Sequence, residues 1–84
     1  MAGDAFRDEL ASSLEQAGYG VRKEVYKKTF FGKRFIDIEI SKDGTVLGGI
    51  EAKVGGSRYT ASQRAKDMWL QMMEGYTVNV VRNP

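Results

Sequence analysis

Apolar and polar positions along this chain fall into six blocks. In residues 4–17, apolar side chains recur at Phe6, Leu10, Leu14 and Ala17, the spacing of one helix face. Asp4 suits the N-cap, acidic residues fill the first turn, and Gly18 suits the position just past the end. Tyr19 to Phe30 mixes basic residues with Val21, Val25 and Phe30 and reads as a strand, ended by a turn at Phe31-Gly32-Lys33. From Arg34 to Ser41 the alternation is strict, with Ile36, Ile38 and Ile40 on one face and Phe35, Asp37 and Glu39 on the other. Asp43-Gly44 predicts a tight hairpin turn. The third strand, Thr45 to Val54, sets Ile50, Ala52 and Val54 against Gly49, Glu51 and Lys53, and Gly48-Gly49 marks a bulge or a close backbone approach. A second helix from Ala61 to Glu74 carries an apolar stripe of Ala61, Ala65, Met68, Trp69, Met72 and Met73, expected to face the core. Gly75 ends it, and Tyr76 to Val81 forms a last strand.

The resulting order is α-β-β-β-α-β, an α/β (α+β) arrangement. Three strands form an antiparallel meander, and a helical crossover brings in the fourth, giving a four-stranded mixed sheet packed by two helices. Eighty-four residues support one small domain, 1–84, with one core. Met1-Ala2-Gly3 reads as a remnant of expression or excision, which leaves room for a longer natural protein. No apolar run approaches a membrane span, so no membrane partner is expected. Oligomeric state is not legible, although so small a core gains from cover over a sheet edge.

Composition narrows the chemistry. The chain has neither cysteine nor histidine. That excludes disulfides, thiolate metal sites, His-based acid–base pairs and Ser–His or Cys–His nucleophiles. Catalysis, if present, rests on carboxylates, lysine, arginine, tyrosine or hydroxyls. Carboxylates favour a hard divalent cation, Mg²⁺ or Mn²⁺ ahead of Zn²⁺. The net charge of +2 is unevenly spread: residues 1–20 sum to −3 and residues 21–34 to +5. The basic segment suits a polyanion such as nucleic acid, and equally an acidic protein or plain solvent.

Three ionisable residues stand inside otherwise apolar strands: Asp37, Glu51 and Lys53. Glu51 and Lys53 leave the same strand face, and the Asp43-Gly44 hairpin brings Asp37 beside them. Two carboxylates holding a cation, with an ammonium nearby, are what phosphodiester hydrolysis needs without histidine. The plainer reading is a surface ladder of cross-strand ion pairs. Glu39 shares the expected face of Asp37, as a further ligand or an outward ion pair. Arg58, Tyr59 and Arg64 near the start of the second helix suit phosphate contact and base stacking, with Lys33 and Arg34 adding phosphate contacts; packing of Tyr59 on the sheet is the alternative. Trp69 and the methionines read as core.

The core order, with an acid on the second strand and Glu51-Ala52-Lys53 on the third, resembles the PD-(D/E)XK, or restriction-endonuclease-like, nuclease superfamily. Asp37 takes the acidic position, preceded by Ile36 rather than proline. Arg34-Phe-Ile-Asp37 followed by Gly56-Ser-Arg-Tyr-Thr-Ala-Ser-Gln-Arg-Ala-Lys-Asp67 is similar to C-terminal nuclease domains of bacterial polymorphic and contact-dependent inhibition toxins. The resemblance implies a metal-dependent endonuclease with Asp37 and Glu51 as metal ligands and Lys53 as a catalytic residue. It implies DNA as the favoured substrate, with transfer RNA as the alternative. It also implies delivery into a target bacterium's cytoplasm and a cognate immunity protein as partner. In such nucleases a glutamine opening the second helix contributes to catalysis, the place of Gln63; but Thr60-Ala-Ser-Gln63 is equally a capping box. A first-helix glutamate often joins the metal. Arg7 stands where it is expected, and Glu9 is the nearest substitute, or a solvated first-turn acid. A non-catalytic nucleic-acid-binding module is the reading from a different class.

Overall fold

A computed structural model of the chain describes the backbone of residues 2–83 and the side chains of residues 4–83. The remnant reading of Met1 lies outside the described residues. The elements are α1 (Ala2–Gln16), β1 (Gly20–Thr29), β2 (Gly32–Lys42), β3 (Thr45–Val54), α2 (Ala61–Glu74) and β4 (Val78–Asn83). They form one sheet in the order β1-β2-β3-β4, antiparallel through β3 and parallel between β3 and β4. The expected α-β-β-β-α-β mixed-sheet architecture is what the chain adopts.

The turn chemistry explains the hairpins. Asp43 and Gly44 both take positive φ (52° and 82°), the backbone a two-residue hairpin linking twisted strands requires. The first turn lies at Phe30-Phe31, one residue earlier than Gly32 suggested, and Thr29 Oγ1 secures it by donating to the Gly32 carbonyl at 2.7 Å. Gly48-Gly49 mark both a bulge and a close approach. The β2–β3 register shifts between Ile40 and Ser41, and a Cβ on Gly49 would sit 2.7 Å from both Ile36 Cγ2 and the Tyr76 hydroxyl.

Two apolar clusters lie on opposite faces of the sheet. Ala11, Ile38 and Ile50 pack with Leu10, Leu14, Val21, Ile40 and Val81 under α1. Val25, Ile36, Leu70 and Tyr76 pack with Trp69 and Val78 under α2. Ile36 and Ile38 therefore face different helices although they stand two apart in one strand. The strict alternation expected for β2 breaks at Asp37. The same change occurs across the ladder, where Val21 belongs to the α1 cluster and Val25 to the α2 cluster. Between those valines Glu24 takes φ 55°, and the Glu24–Asp37 pair is missing from an otherwise continuous register. A non-glycine residue in this conformation costs about 1–2 kcal/mol. That cost is met where the two strands exchange faces, beside Asp37.

The second correction concerns α2. Its buried residues are Asp67 and Leu70, whereas Met68, Met72 and Met73 are exposed and Trp69 is only partly covered. The helix is rolled away from the stripe its apolar pattern marks. Among the described residues no helix is long and apolar enough to cross a membrane.

Candidate metal and phosphodiester site

The roll of α2 follows from what lies beneath it. Arg34 on β2 is buried, and all three nitrogens of its guanidinium are engaged: Nε donates to Asp67 Oδ1 (2.8 Å), one terminal nitrogen to Glu51 Oε1 (2.8 Å) and Asp67 Oδ2 (3.2 Å), the other to the Phe35 carbonyl (2.9 Å). Burial alone would lower the Arg34 pKa, but hydrogen bonds and charge from Asp67 and Glu51 outweigh it and hold the group above its ordinary value. Asp67 also accepts from the Tyr59 hydroxyl; burial and this contact push the phenol upward. Turning the apolar stripe of α2 inward would break this set and strand buried charges, at a cost of about 3–5 kcal/mol for one lost partner.

Glu51 sits at the centre. One oxygen faces Arg34, and the other lies 3.2 Å from Lys53 Nζ. Glu51 and Lys53 are both buried, at 5% and 9% exposure, so the surface-ladder reading of these strands is set aside. The β2–β3 ladder carries no pairing beyond Ile38↔Ile50 towards Asp37. In the parted stretch Asp37 Oδ2 accepts from the Ala52 amide at 2.8 Å, the side chain standing in for a ladder bond. The Asp37 carboxyl is pushed up to about 6, first by burial and then by the adjacent Glu51 carboxylate and by Glu24; the Ala52 amide opposes the rise. Asp37 and Glu51 are thus brought together beside Lys53, as their positions on the hairpin suggested.

The donor set fits a hard divalent cation. Arg34 pairs with Glu51 and Asp67, Lys53 pairs with Glu51, and Asp37 and Glu51 repel one another. Each of these two carboxylates keeps unused lone pairs. Among the described residues no group of three acids gathers in a ligating arrangement. One or two carboxylates completed by water and phosphate are the usual surroundings of Mg²⁺.

The other site expectations divide. Gln63 completes the capping box: its Oε1 accepts from the Thr60 amide (3.0 Å), and its own amide donates to Thr60 Oγ1 (3.1 Å). Glu9 is exposed, has no ion pair among the described residues and is not among the charges acting on Asp37. Glu24, after Glu51, is an acid whose charge raises Asp37, and the Arg7 guanidinium is bonded to it. Glu24 left no sequence signal, because a glutamate amid lysines in a strand reads as solvated. Arg34, expected at phosphate, is turned inward onto Asp67 and Glu51. Tyr59 is partly buried, its hydroxyl donating to Asp67 of α2, with the Arg64 guanidinium 5.9 Å from its ring centre. Arg58, Arg64 and Lys33 remain exposed. Glu39 is buried on the α2 side beside Tyr76, paired with Lys27 at 3.1 Å, and is not among the charges acting on Asp37.

No family model and no curated protein matches the chain. Among solved structures, the crystal structure of a protein of unknown function, AF1548, is similar with a TM-score of 0.66 and 21% identity over 92% of this chain. The chain spans 45% of that protein, less than half its length. That likeness bears on the fold alone.

Proposed function

We propose that the chain is a divalent-cation-dependent phosphodiester hydrolase, a nuclease of the restriction-endonuclease-like kind. The observation that supports this most is the meeting of Asp37 and Glu51 where β2 and β3 part, with Lys53 Nζ 3.2 Å from Glu51. Asp37 and Glu51 would hold the cation. When bound, it supplies Lewis-acid polarisation of a phosphoryl oxygen and activation of water at neutral pH. Lys53 provides an ammonium that steadies negative charge developing on the phosphate. Arg34 fixes Glu51, and Asp67 with Tyr59 fixes Arg34, so the central carboxylate is held from both sides. Arg58, Arg64 and Lys33 are the exposed cations available to a phosphate backbone. DNA is the first substrate to test and transfer RNA the second. The resemblance of the Arg34–Asp67 region to bacterial toxin nuclease domains supports a role in competition between cells, with action in a target cytoplasm and a cognate immunity protein.

The test incubates the protein with plasmid DNA and with total transfer RNA in Mg²⁺, Mn²⁺ or EDTA. Cleavage is expected only with metal, and Asp37→Asn, Glu51→Gln and Lys53→Ala are each expected to lose about 100-fold or more. Cleavage of neither substrate with either metal, or variants that cut like the parent, would overturn the assignment.

A further inference from the structure

The far end of the β1–β2 hairpin turns aromatic and basic side chains away from α2. Lys27 lies over the Tyr76 ring and Arg34 bonds Asp67, so both point towards α2. Their neighbours along the strands, Tyr26, Lys28, Lys33 and Phe35, therefore leave the other face, and all four are exposed. Tyr26 and Phe35 stand directly opposite in the ladder, with ring centres 5.5 Å apart and planes at 55°. They keep 49% and 52% of their surface in solvent. The ion pairs of α1 with β1 fall at Lys23 and Glu24, on the near side of this corner.

The next outward-facing pair in the ladder is Lys28 with Lys33. Like charges directly opposite one another destabilise a strand pair unless an anion joins them. Among the described residues neither lysine forms an ion pair. Residues 25–36, the whole end of the hairpin, contain no acid. Past the lysines, Phe30 stands 80% exposed at the tip. Aromatic and basic positions thus alternate along the hairpin. Phe35 is two residues before Asp37 on β2, about 7 Å along the strand.

We propose that this corner binds unpaired nucleotides of a single-stranded nucleic acid, with bases stacked on Tyr26 and Phe35 and phosphates on Lys28 and Lys33. Every base offers a π face to an exposed ring, and the phosphates supply the negative charge that the lysine pair lacks. A duplex keeps its base faces stacked inside and leaves the two rings without a partner. A second copy of this chain would set one lysine pair against another. An acidic protein would answer the lysines; the paired rings between them and Asp37 are what favour a base. The class of ligand rests on the nuclease reading, whereas the contacts require no turnover.

The probes are fluorescently labelled single strands of thymidine or uridine nucleotides and a duplex of the same length, followed by anisotropy in EDTA. Both single strands are expected to bind at least about tenfold tighter than the duplex. Tyr26→Ala/Phe35→Ala should weaken them about tenfold or more. Lys28→Ala/Lys33→Ala should reduce the slope of log affinity against log salt by about 1.4, the loss of two phosphate contacts. Met72→Ala, on the α2 side, should leave binding within about twofold. All these positions are exposed, and an unchanged urea midpoint shows that each variant folds. Binding of neither single strand, equal binding of the duplex, or aromatic variants that bind like the parent overturns the proposal. Displacement by polyglutamate as effective as by unlabelled strand also overturns it, since charge alone would then suffice. Strand binding without metal-dependent cleavage would sink the nuclease reading and leave this surface standing. Metal-dependent cleavage with strand binding indifferent to Tyr26 and Phe35 would do the reverse.

Discussion

The two helices cover the two faces of one sheet by opposite rules. Under α1 the contact is apolar: Ala11, Leu10 and Leu14 on Ile38 and Ile50, with charged pairs such as Lys23–Asp8 kept at the edge. Under α2 the apolar contact narrows to Leu70 and part of Trp69, and a buried aspartate takes the next place on the helix. The apolar periodicity of α1 sets its orientation, whereas α2 is oriented by Asp67 and its bond to Arg34. Burying charge rarely adds net stability. The arrangement under α2 therefore points to use rather than to stability, and it gathers around Glu51.

That contrast can be broken at its charged end first. Arg34→Met should destabilise the fold by about 3–5 kcal/mol in urea, because Asp67 and Glu51 stay buried without their counter-charge. A loss below about 1 kcal/mol, the scale of an exposed pair, would mean that the network does not orient α2. Next, the two sides of α2 can be set against each other. Leu70→Ala should cost about 2–5 kcal/mol, and Met72→Ala no more than about 0.5 kcal/mol. Equal losses would place the methionine stripe inside.

Asp37 supplies a test by pH. Its folded carboxyl titrates at about 6, above the ordinary carboxylate value, so between the two values the folded chain binds more protons than the unfolded one. Stability of the metal-free chain should then fall as pH rises from about 4 to 6, by roughly 1–2 kcal/mol once solvent screening of this half-exposed group is allowed for. Asp37→Asn should flatten that decline. A decline of the same size in the variant would locate the effect elsewhere. A further modest effect belongs to the cap: Thr60→Ala should cost about 1 kcal/mol. Gln63→Ala should cost less and leave any cleavage unchanged, and a large loss of cleavage with intact stability would return Gln63 to the chemistry.

The element order was legible because turns and periodicities were strong. Asp43-Gly44 set one hairpin, Gly75 ended α2, and β3 and α2 keep their expected limits. Asp37, Glu51 and Lys53 were legible as a group because two residues on one strand share a face and a tight hairpin fixes their neighbour. Three things were not. The face change at Asp37 depends on Glu24 adopting positive φ, and glutamate carries no mark of that backbone. Arg34 reads as one cation in a basic run, and only the fold brings it to Asp67, thirty-three residues away. The roll of α2 was hidden because its apolar stripe is a true stripe; a charge network under the helix outweighs it.

The central claim is that Asp37 and Glu51 form one cation site. Calorimetric titration of Mn²⁺ into the metal-free protein tests it with a control on the same strand as Asp37. The account predicts one saturable site, weakened at least about tenfold by Asp37→Asn and by Glu51→Gln. Glu39→Gln, which alters a carboxylate as buried as Glu51 but paired with Lys27, should leave the affinity within about twofold. Absence of binding to the parent chain, or equal weakening by all three substitutions, would contradict it.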